Sequence, residues 1–228
     1  MSTTVGSMGF PDLPVLGQDH DRLYRLGIMG GTFDPIHNGH LVAAQQALDD
    51  LELDTVVFMP AGSPAFKQDR RVSSTEDRYA MTLLATADNP SFSTSRFEIA
   101  REGITYTVDT LAALRELYPD NVEFYFITGA DAIMDILKWH DAEKLARLAR
   151  LVAATRPGYD LDAVVDVVFG SGIAFDVTYL EVPALAISSS HLRERTGQGM
   201  SLRYLTPDSV VGYIEKRGLY AGMGEGDR

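Results

Sequence analysis

The sequence predicts an α/β fold: a single domain built on one doubly wound parallel sheet, with helices on both faces. Three observations carry this. Short apolar or β-branched runs alternate with segments of helical period along the chain, the pattern left by parallel strands joined through crossover helices. The first apolar run ends in a glycine-rich turn and passes directly into a helical pattern, as a strand–loop–helix unit does. The 228 residues, 45 % of them apolar, suffice for one core and contain no repeat, low-complexity tract or Pro/Gly linker that would divide it.

The elements follow in order. LGIMG at 26–30 is a short buried strand ending in glycine. Beyond the turn, LVAAQQALDDLEL places Leu41, Ala44, Leu48 and Leu51 on one helical face. TVVFMP at 55–60 is a β-branched strand stopped by Pro60. Ser73 with Glu76 forms a capping-box start for a helix that runs through roughly Ala87. FSTSRFEI at 92–99 reads as a strand, and Thr107 to Tyr118 as a helix ended by Pro119. VEFYFITG at 122–129 is a buried strand, and ADAIMDILKW after it a helix. RLVAATRPG at 150–158 is a strand running into a turn. LDAVVDVVF, ambiguous between the two periods, is read as a helix, and VTYLEVP as a strand. SSSHLRER opens a short helix, and PDSVVGYIEKR forms the last one, with Pro207 near its first turn. The arrangement is Rossmann-like. Residues 1–25, small and polar, read as a flexible leader, 26–220 as the domain and 221–228 as a tail.

The formal net charge of -12 argues against a nucleic-acid partner, which usually meets a basic face. It does not argue against a small anion, which a few local cations and helix N-termini can hold on an acidic protein. No apolar run reaches the roughly eighteen residues a membrane span needs. The first residues lack the basic start and apolar block of a secretory signal. The absence of cysteine excludes disulfides and thiolate metal sites and fits a reducing cytoplasm. A homo-oligomer is compatible with all of this and nothing in the sequence specifies it.

Ligands of such sheets sit outside the carboxyl ends of the strands, so the turns that follow strands are the informative ones. The first is GGTFDPIHNGH at 30–40. Its glycines let backbone approach a ligand, and the helix beyond offers unpaired N–H groups and positive potential. GxGxxG is absent, and no Gly-Lys-Ser/Thr follows, so neither the dinucleotide nor the Walker pattern applies. His37 and His40 could ligate a metal, although no third ligand stands at a helpful local spacing and Asn38 occupies the place where metalloproteases carry glutamate. They could equally pack within the turn. A phosphate cradle, a metal pair and a packed turn all stay open on this segment alone.

Four further segments stand out later in the chain. PAGSPAFK supplies a loop cation at Lys67, and EIAREGITYTVDTL leads into a helix. ITGADAIMDILKWH offers Gly129 for close approach, Asp131 at a helix start, and Trp139, the only tryptophan, as a stacking surface. AISSSHLRER places Ser188 and Ser189 at a helix start, with Arg193 one turn further; guanidinium forks suit phosphate oxygens.

GGTFDPIHNGHL closely resembles the opening of bacterial nicotinate-mononucleotide adenylyltransferases and, more broadly, of the HxGH nucleotidyltransferase superfamily. The later segments, in their order, resemble the nicotinate-mononucleotide branch, and the likeness spans nearly all of residues 26–220. It implies adenylyl transfer from ATP to nicotinate mononucleotide, giving nicotinic acid adenine dinucleotide and pyrophosphate, as in NAD biosynthesis. It implies that ATP meets Gly30, Gly31, Thr32 and Phe33, then His37 and His40, then Gly129 and Asp131, and finally Ser188, Ser189 and Arg193. His37, His40 and Arg193 would carry the catalysis. The mononucleotide would meet Lys67 through its phosphate and Tyr106, Thr107, Asp131 and Trp139 through the rest. Mg²⁺ would arrive with ATP, without a metal site of the protein's own. The chain departs from the family pattern at Phe66, where a histidine often precedes the lysine, at Ser190 for threonine and at Leu192 for isoleucine. TRPGY at 155–159 also matches, leaving Arg156 as a wall residue. Pantetheine-phosphate adenylyltransferase, or another enzyme of the superfamily, is the nearest alternative.

Overall fold

The computed structural model describes residues 12–64, 72–155, 165, 166, 168, 170–183 and 186–222. Its main sheet holds six strands. In chain order these are β1 (Tyr24–Gly31), β2 (Thr55–Pro60), β4 (Phe92–Thr94), β6 (Val122–Gly129), β7 (Arg150–Thr155) and β8 (Val177–Glu181). The helices are α1 (Asn38–Asp50), α2 (Thr75–Thr86), α3 (Thr107–Leu117), α4 (Ala130–Met134), α5 (Ala142–Leu148), α6 (Ser189–Gly197) and α7 (Asp208–Arg217). The spatial order is β4-β2-β1-β6-β7-β8, and every pairing is parallel. The order of connection reverses between β1 and β6, and the crevice for a ligand in a doubly wound sheet lies at such a switch point. The register brings Gly30 level with Met59, Met29 with Ile127, and Gly129 with Ala154. The strand ends that carry the glycine motifs therefore open onto one edge.

Strand period divides the core between two faces. On one, Leu26, Ile28, Val57, Met59, Phe124 and Phe126 pack with Leu111 and Leu114 of α3, Ile133 of α4 and Leu145 of α5. On the other, Met29, Val56, Phe58, Tyr125 and Ile127 pack with Ala43, Ala44 and Ala47 of α1, Met81 of α2, Leu192 of α6 and Ile214 of α7. Buried alanines let α1 lie close against the sheet directly behind the first turn. No helix among the described residues is long and apolar enough to cross a membrane.

Four expectations change. The fold reaches further toward the N-terminus than Leu26. Leu13 is buried, the Asp12 carboxylate accepts from the Arg96 N–H at 2.5 Å, and the Tyr118 hydroxyl donates to the Pro14 carbonyl at 2.7 Å. Residues 12–23 are thus packed by isolated contacts that leave no periodic signal. Helix α2 is capped one residue later than expected, by Ser74, which accepts from the Asp77 N–H at 3.1 Å, while the backbone of Ser73 bonds Asp34 and Arg78. The strand expected over 92–99 ends at Thr94. The helix expected after Gly129 stops at Met134, passes through a 3₁₀ turn at Ile136–Lys138, and restarts as α5 behind an Asp141 cap at φ 48°. A second sheet pairs β3 (Ser63–Pro64) with β5 (Ile104–Thr105). The segment 161–169, read as a helix, falls largely outside the described residues.

Candidate active site

The first turn leaves β1 at Gly31, where a side chain would meet the Phe33 ring at 2.8 Å. His37 then caps α1 in extended geometry, φ -149° and ψ 168°. Its ring lies parallel to that of His40, centroids 3.7 Å apart and planes 24° apart. The stack folds over Gly39, where a Cβ would come within 3.0 Å of His37 Nδ1. The spacing of the two histidines and the glycine between them are therefore one geometric requirement. The His37 backbone N–H donates to His40 Nδ1 at 3.2 Å. Acceptance at Nδ1 assigns the proton of a neutral His40 to Nε2 and makes that nitrogen a donor. His37 is 6 % exposed, and its Nδ1 is buried without a hydrogen-bond partner. Burial lowers its pKa to about 4, only partly offset by its own backbone, so the ring is neutral near pH 7.

The late SSSHLR segment docks onto this turn. Ser188 caps α6 by accepting from the His191 N–H at 3.2 Å, and the Ser189 hydroxyl donates to the Pro35 carbonyl at 2.8 Å. Arg193 is buried; its Nη1 donates to the Asp34 carbonyl at 2.5 Å and its Nη2 to the Ser190 hydroxyl at 3.0 Å. The guanidinium is thus held in a fixed orientation with donors to spare. Asn38 and Thr206 hold the turn from its other side, donating to the Tyr204 and Ile36 carbonyls, each at 2.8 Å.

His37, Gly39, His40, Ser188, Ser189, Ser190 and Arg193 line a cavity of about 470 Å³ together with Gly30, Thr128, Gly129 and Asp131. Gly30, His37, His40, Gly129, Asp131, Ser188, Ser189 and Arg193, expected from the sequence to share a site, are all on its wall. The N-termini of α1 and α6 begin there, and Asp131 is the one carboxylate among its described lining residues. Helix N-termini, imidazoles and a guanidinium make this wall suited to anions despite the acidic whole.

A second cavity of about 310 Å³ shares Gly30 and Thr128 with the first. Its wall holds Tyr106, Thr107 and Trp139, as expected, and also Gly31 and Thr32, which the sequence assigned to the ATP side. Trp139 stands edge-on to Phe126, centroids 6.0 Å apart. Asp131, assigned to both ligands, lines the first cavity and not the second. Phe33 lines neither. Its ring is buried, edge-on to His40 at 5.1 Å and against Phe58, so its side chain supports the stack instead of facing a ligand. Lys67, Phe66 and Arg156 lie outside the described residues.

Three residues escaped the sequence reading. Arg78, wholly buried, donates to the carbonyls of Ser73, Thr32 and Gly62 at 3.2, 2.9 and 3.1 Å and so ties three strand-end loops together. Nothing in its local helical pattern marks it. Glu98 and His140 line the second cavity. Both stand inside the segments singled out by the sequence, Glu98 opening one and His140 closing the next. Burial pushes the Glu98 carboxyl upward, against the lowering effect of hydrogen bonds from Thr110, at 2.8 Å, and Thr105.

The cytidylyltransferase-like family model matches residues 28–195. A Frankia casuarinae protein named "Probable nicotinate-nucleotide adenylyltransferase" is 56 % identical over 194 residues, covering 85 % of this chain and 99 % of its own. A protein of the same name from Mycolicibacterium vanbaalenii is 51 % identical over 208 residues, 91 % of this chain and 97 % of its own. Among solved structures, the Plasmodium falciparum nicotinic acid mononucleotide adenylyltransferase complexed with NaAD superposes with a TM-score of 0.70 at 21 % identity, over 86 % of this chain and 97 % of that one. At that identity the likeness concerns the fold, and it agrees with the six-stranded parallel sheet. With a family model across most of its length and full-length relatives above half identity, the chain belongs to the nicotinate-nucleotide adenylyltransferases of the cytidylyltransferase-like family.

Proposed function

We propose that the protein transfers the adenylyl group of ATP to nicotinate mononucleotide, forming nicotinic acid adenine dinucleotide and releasing pyrophosphate. The observation that carries this reading is the pair of cavities meeting at Gly30 and Thr128, at the ends of the two central strands. One wall is built for phosphates and the other for a flat ring, which is what a reaction joining two nucleotides requires.

The nucleophile is a phosphate monoester with a second pKa of about 6, so it is mostly dianionic near neutrality and needs no general base. One of its oxygens forms a bond to the α-phosphorus of ATP as the bond to the bridging α–β oxygen breaks, and the electron pair leaves with pyrophosphate. The protein's work is to hold two anions in line and to stabilise charge as it develops. His40, through Nε2–H, faces the α-phosphate. His37 braces it by stacking and brings its own ring to the phosphate wall. Arg193 and the N-terminus of α6 hold the departing pyrophosphate, and Lys67 holds the attacking phosphate. Trp139 and Tyr106 flank the pyridine ring, with Thr107 at the start of α3 beside it.

Asp131, the one carboxylate among the described lining residues of the first cavity, is the side chain that a Mg²⁺ arriving with ATP would meet there. Such an ion would neutralise phosphate charge. A pyrophosphate-release assay with ATP tests the reading, comparing nicotinate mononucleotide, nicotinamide mononucleotide and phosphopantetheine as acceptors. Release with nicotinate mononucleotide is the expected result; release with phosphopantetheine alone would reassign the enzyme within its superfamily.

A further inference from the structure

The second cavity has a sparse charge inventory. Among its described lining residues, His140 is the only side chain able to carry positive charge, and Glu98 the only carboxyl. Glu98 is buried, is held by the Thr110 hydroxyl, and has Arg78 and Arg101 near enough to act on it electrostatically. His140 is exposed at the rim. It follows Trp139 at the end of the 3₁₀ turn, and its ring lies against that of Tyr106, centroids 4.5 Å apart and planes 33° apart. Tyr106 is itself the N-cap residue of α3. The imidazole is therefore held by elements from both walls of the cavity.

An acid and an amide on a pyridine ring are nearly the same shape. Backbone N–H groups at the start of α3 can donate to a carbonyl oxygen of either, and ring stacking cannot distinguish them. A cation can, because only the carboxylate returns its charge, while the amide NH₂ presents donors to it. We propose that the His140 imidazole is the specificity-determining group that selects a carboxylate-bearing pyridine mononucleotide over its amide. The inference rests on the reading above that this cavity takes the pyridine ring.

Two substitutions separate charge from stacking. His140→Phe keeps an aromatic ring against Tyr106 and removes the nitrogens able to carry charge; His140→Lys supplies a cation and removes the ring. Steady-state kinetics are measured for both variants and the wild type with nicotinate and nicotinamide mononucleotides. His140→Phe is expected to raise KM for the acid about fivefold, the scale of one solvent-screened charge contact, with KM for the amide and both kcat values nearly unchanged. His140→Lys is expected to restore the wild-type ratio. Added salt should narrow the gap between wild type and His140→Phe, because an exposed charge is screened. Equal shifts for acid and amide, no shift for either, or failure of lysine to restore the ratio would each overturn the assignment while leaving the reaction intact. A wild type that turns over neither mononucleotide overturns the reading of the reaction and this inference with it.

Discussion

Position 39 leaves a methyl group less room than a Cβ normally has. A Cβ there would sit 3.0 Å from His37 Nδ1 and 3.1 Å from its Cε1, closer than carbon and nitrogen settle without movement. By helix propensity alone, Gly39→Ala near the start of α1 would be neutral to favourable. The stacked imidazoles reverse that advantage, since the ring that must move is buried and packed on His40. Gly39→Ala is therefore expected to lower kcat about ten- to a hundredfold, the cost of misplacing a group near the chemistry, with little change in melting temperature. Enzyme assays paired with thermal melts of the same preparation check this; a variant with wild-type turnover would show that the stack tolerates displacement. His40→Ala sets the scale for losing the donor outright. Its turnover at saturating ATP should fall by about two to three orders of magnitude, and near-normal turnover would remove His40 from the chemistry.

At the scale of elements, the site depends on segments far apart in sequence that meet behind the first turn. Asp34 is their junction. Its carboxylate accepts from the Tyr220 hydroxyl at 2.7 Å and the Ser73 N–H at 3.2 Å, and its carbonyl accepts from Arg193. The segment after α7 thus holds the same residue that orients the Arg193 guanidinium at the first cavity. Tyr220→Phe leaves a buried carboxylate oxygen without its hydroxyl donor and should cost about 1–3 kcal/mol, read as a lower urea midpoint at unchanged slope. An unchanged midpoint would mean that water replaces the hydroxyl at no cost. This junction also marks where sequence reasoning stops. The strand-end motifs were legible because glycines, histidines and a capped helix announce themselves locally. Tyr220 and Arg78 were not, because buried side chains that tie a carboxylate 186 residues away, or carbonyls 16 and 46 residues away, have no local signature. The same holds for β3 and β5. Two-residue strands carry no periodicity, and they pair where Gly62 comes so close to the Glu98 carbonyl that a Cβ would lie 2.5 Å from it. The break after Met134 was missed because ADAIMDILKW keeps a helical composition through a stretch where tertiary packing turns the chain.

Over the whole molecule, the sheet order followed from alternation of elements, but the energetic state of the site did not, since it depends on burial. An acidic chain with a net charge of -12 keeps a neutral imidazole buried at the wall of the first cavity, and this ties stability to pH. His37 has a pKa of about 4 in the folded protein against an ordinary 6.5. Between those values the unfolded chain binds a proton at this residue that the folded protein does not. Stability therefore rises with pH across the window. The His37 contribution is fully present above about 6.5 and is lost as pH falls through about 4, and the gap corresponds to about 3 kcal/mol. Glu98 acts in the opposite sense. Its raised pKa stabilises the fold below the ordinary carboxylate range and loses that effect as pH rises. Wild type alone would mix the two, so the measurement is a difference. Urea unfolding of wild type and His37→Asn, at half-unit steps from pH 4 to pH 7, cancels the contribution of Glu98 common to both proteins. The free-energy difference should grow in favour of wild type as pH rises through the window and then level off. A difference that stays constant from pH 4 to pH 7 would show that His37 keeps its ordinary pKa in the fold, and the wall of the first cavity would then carry a positive charge near pH 6 before any phosphate arrives.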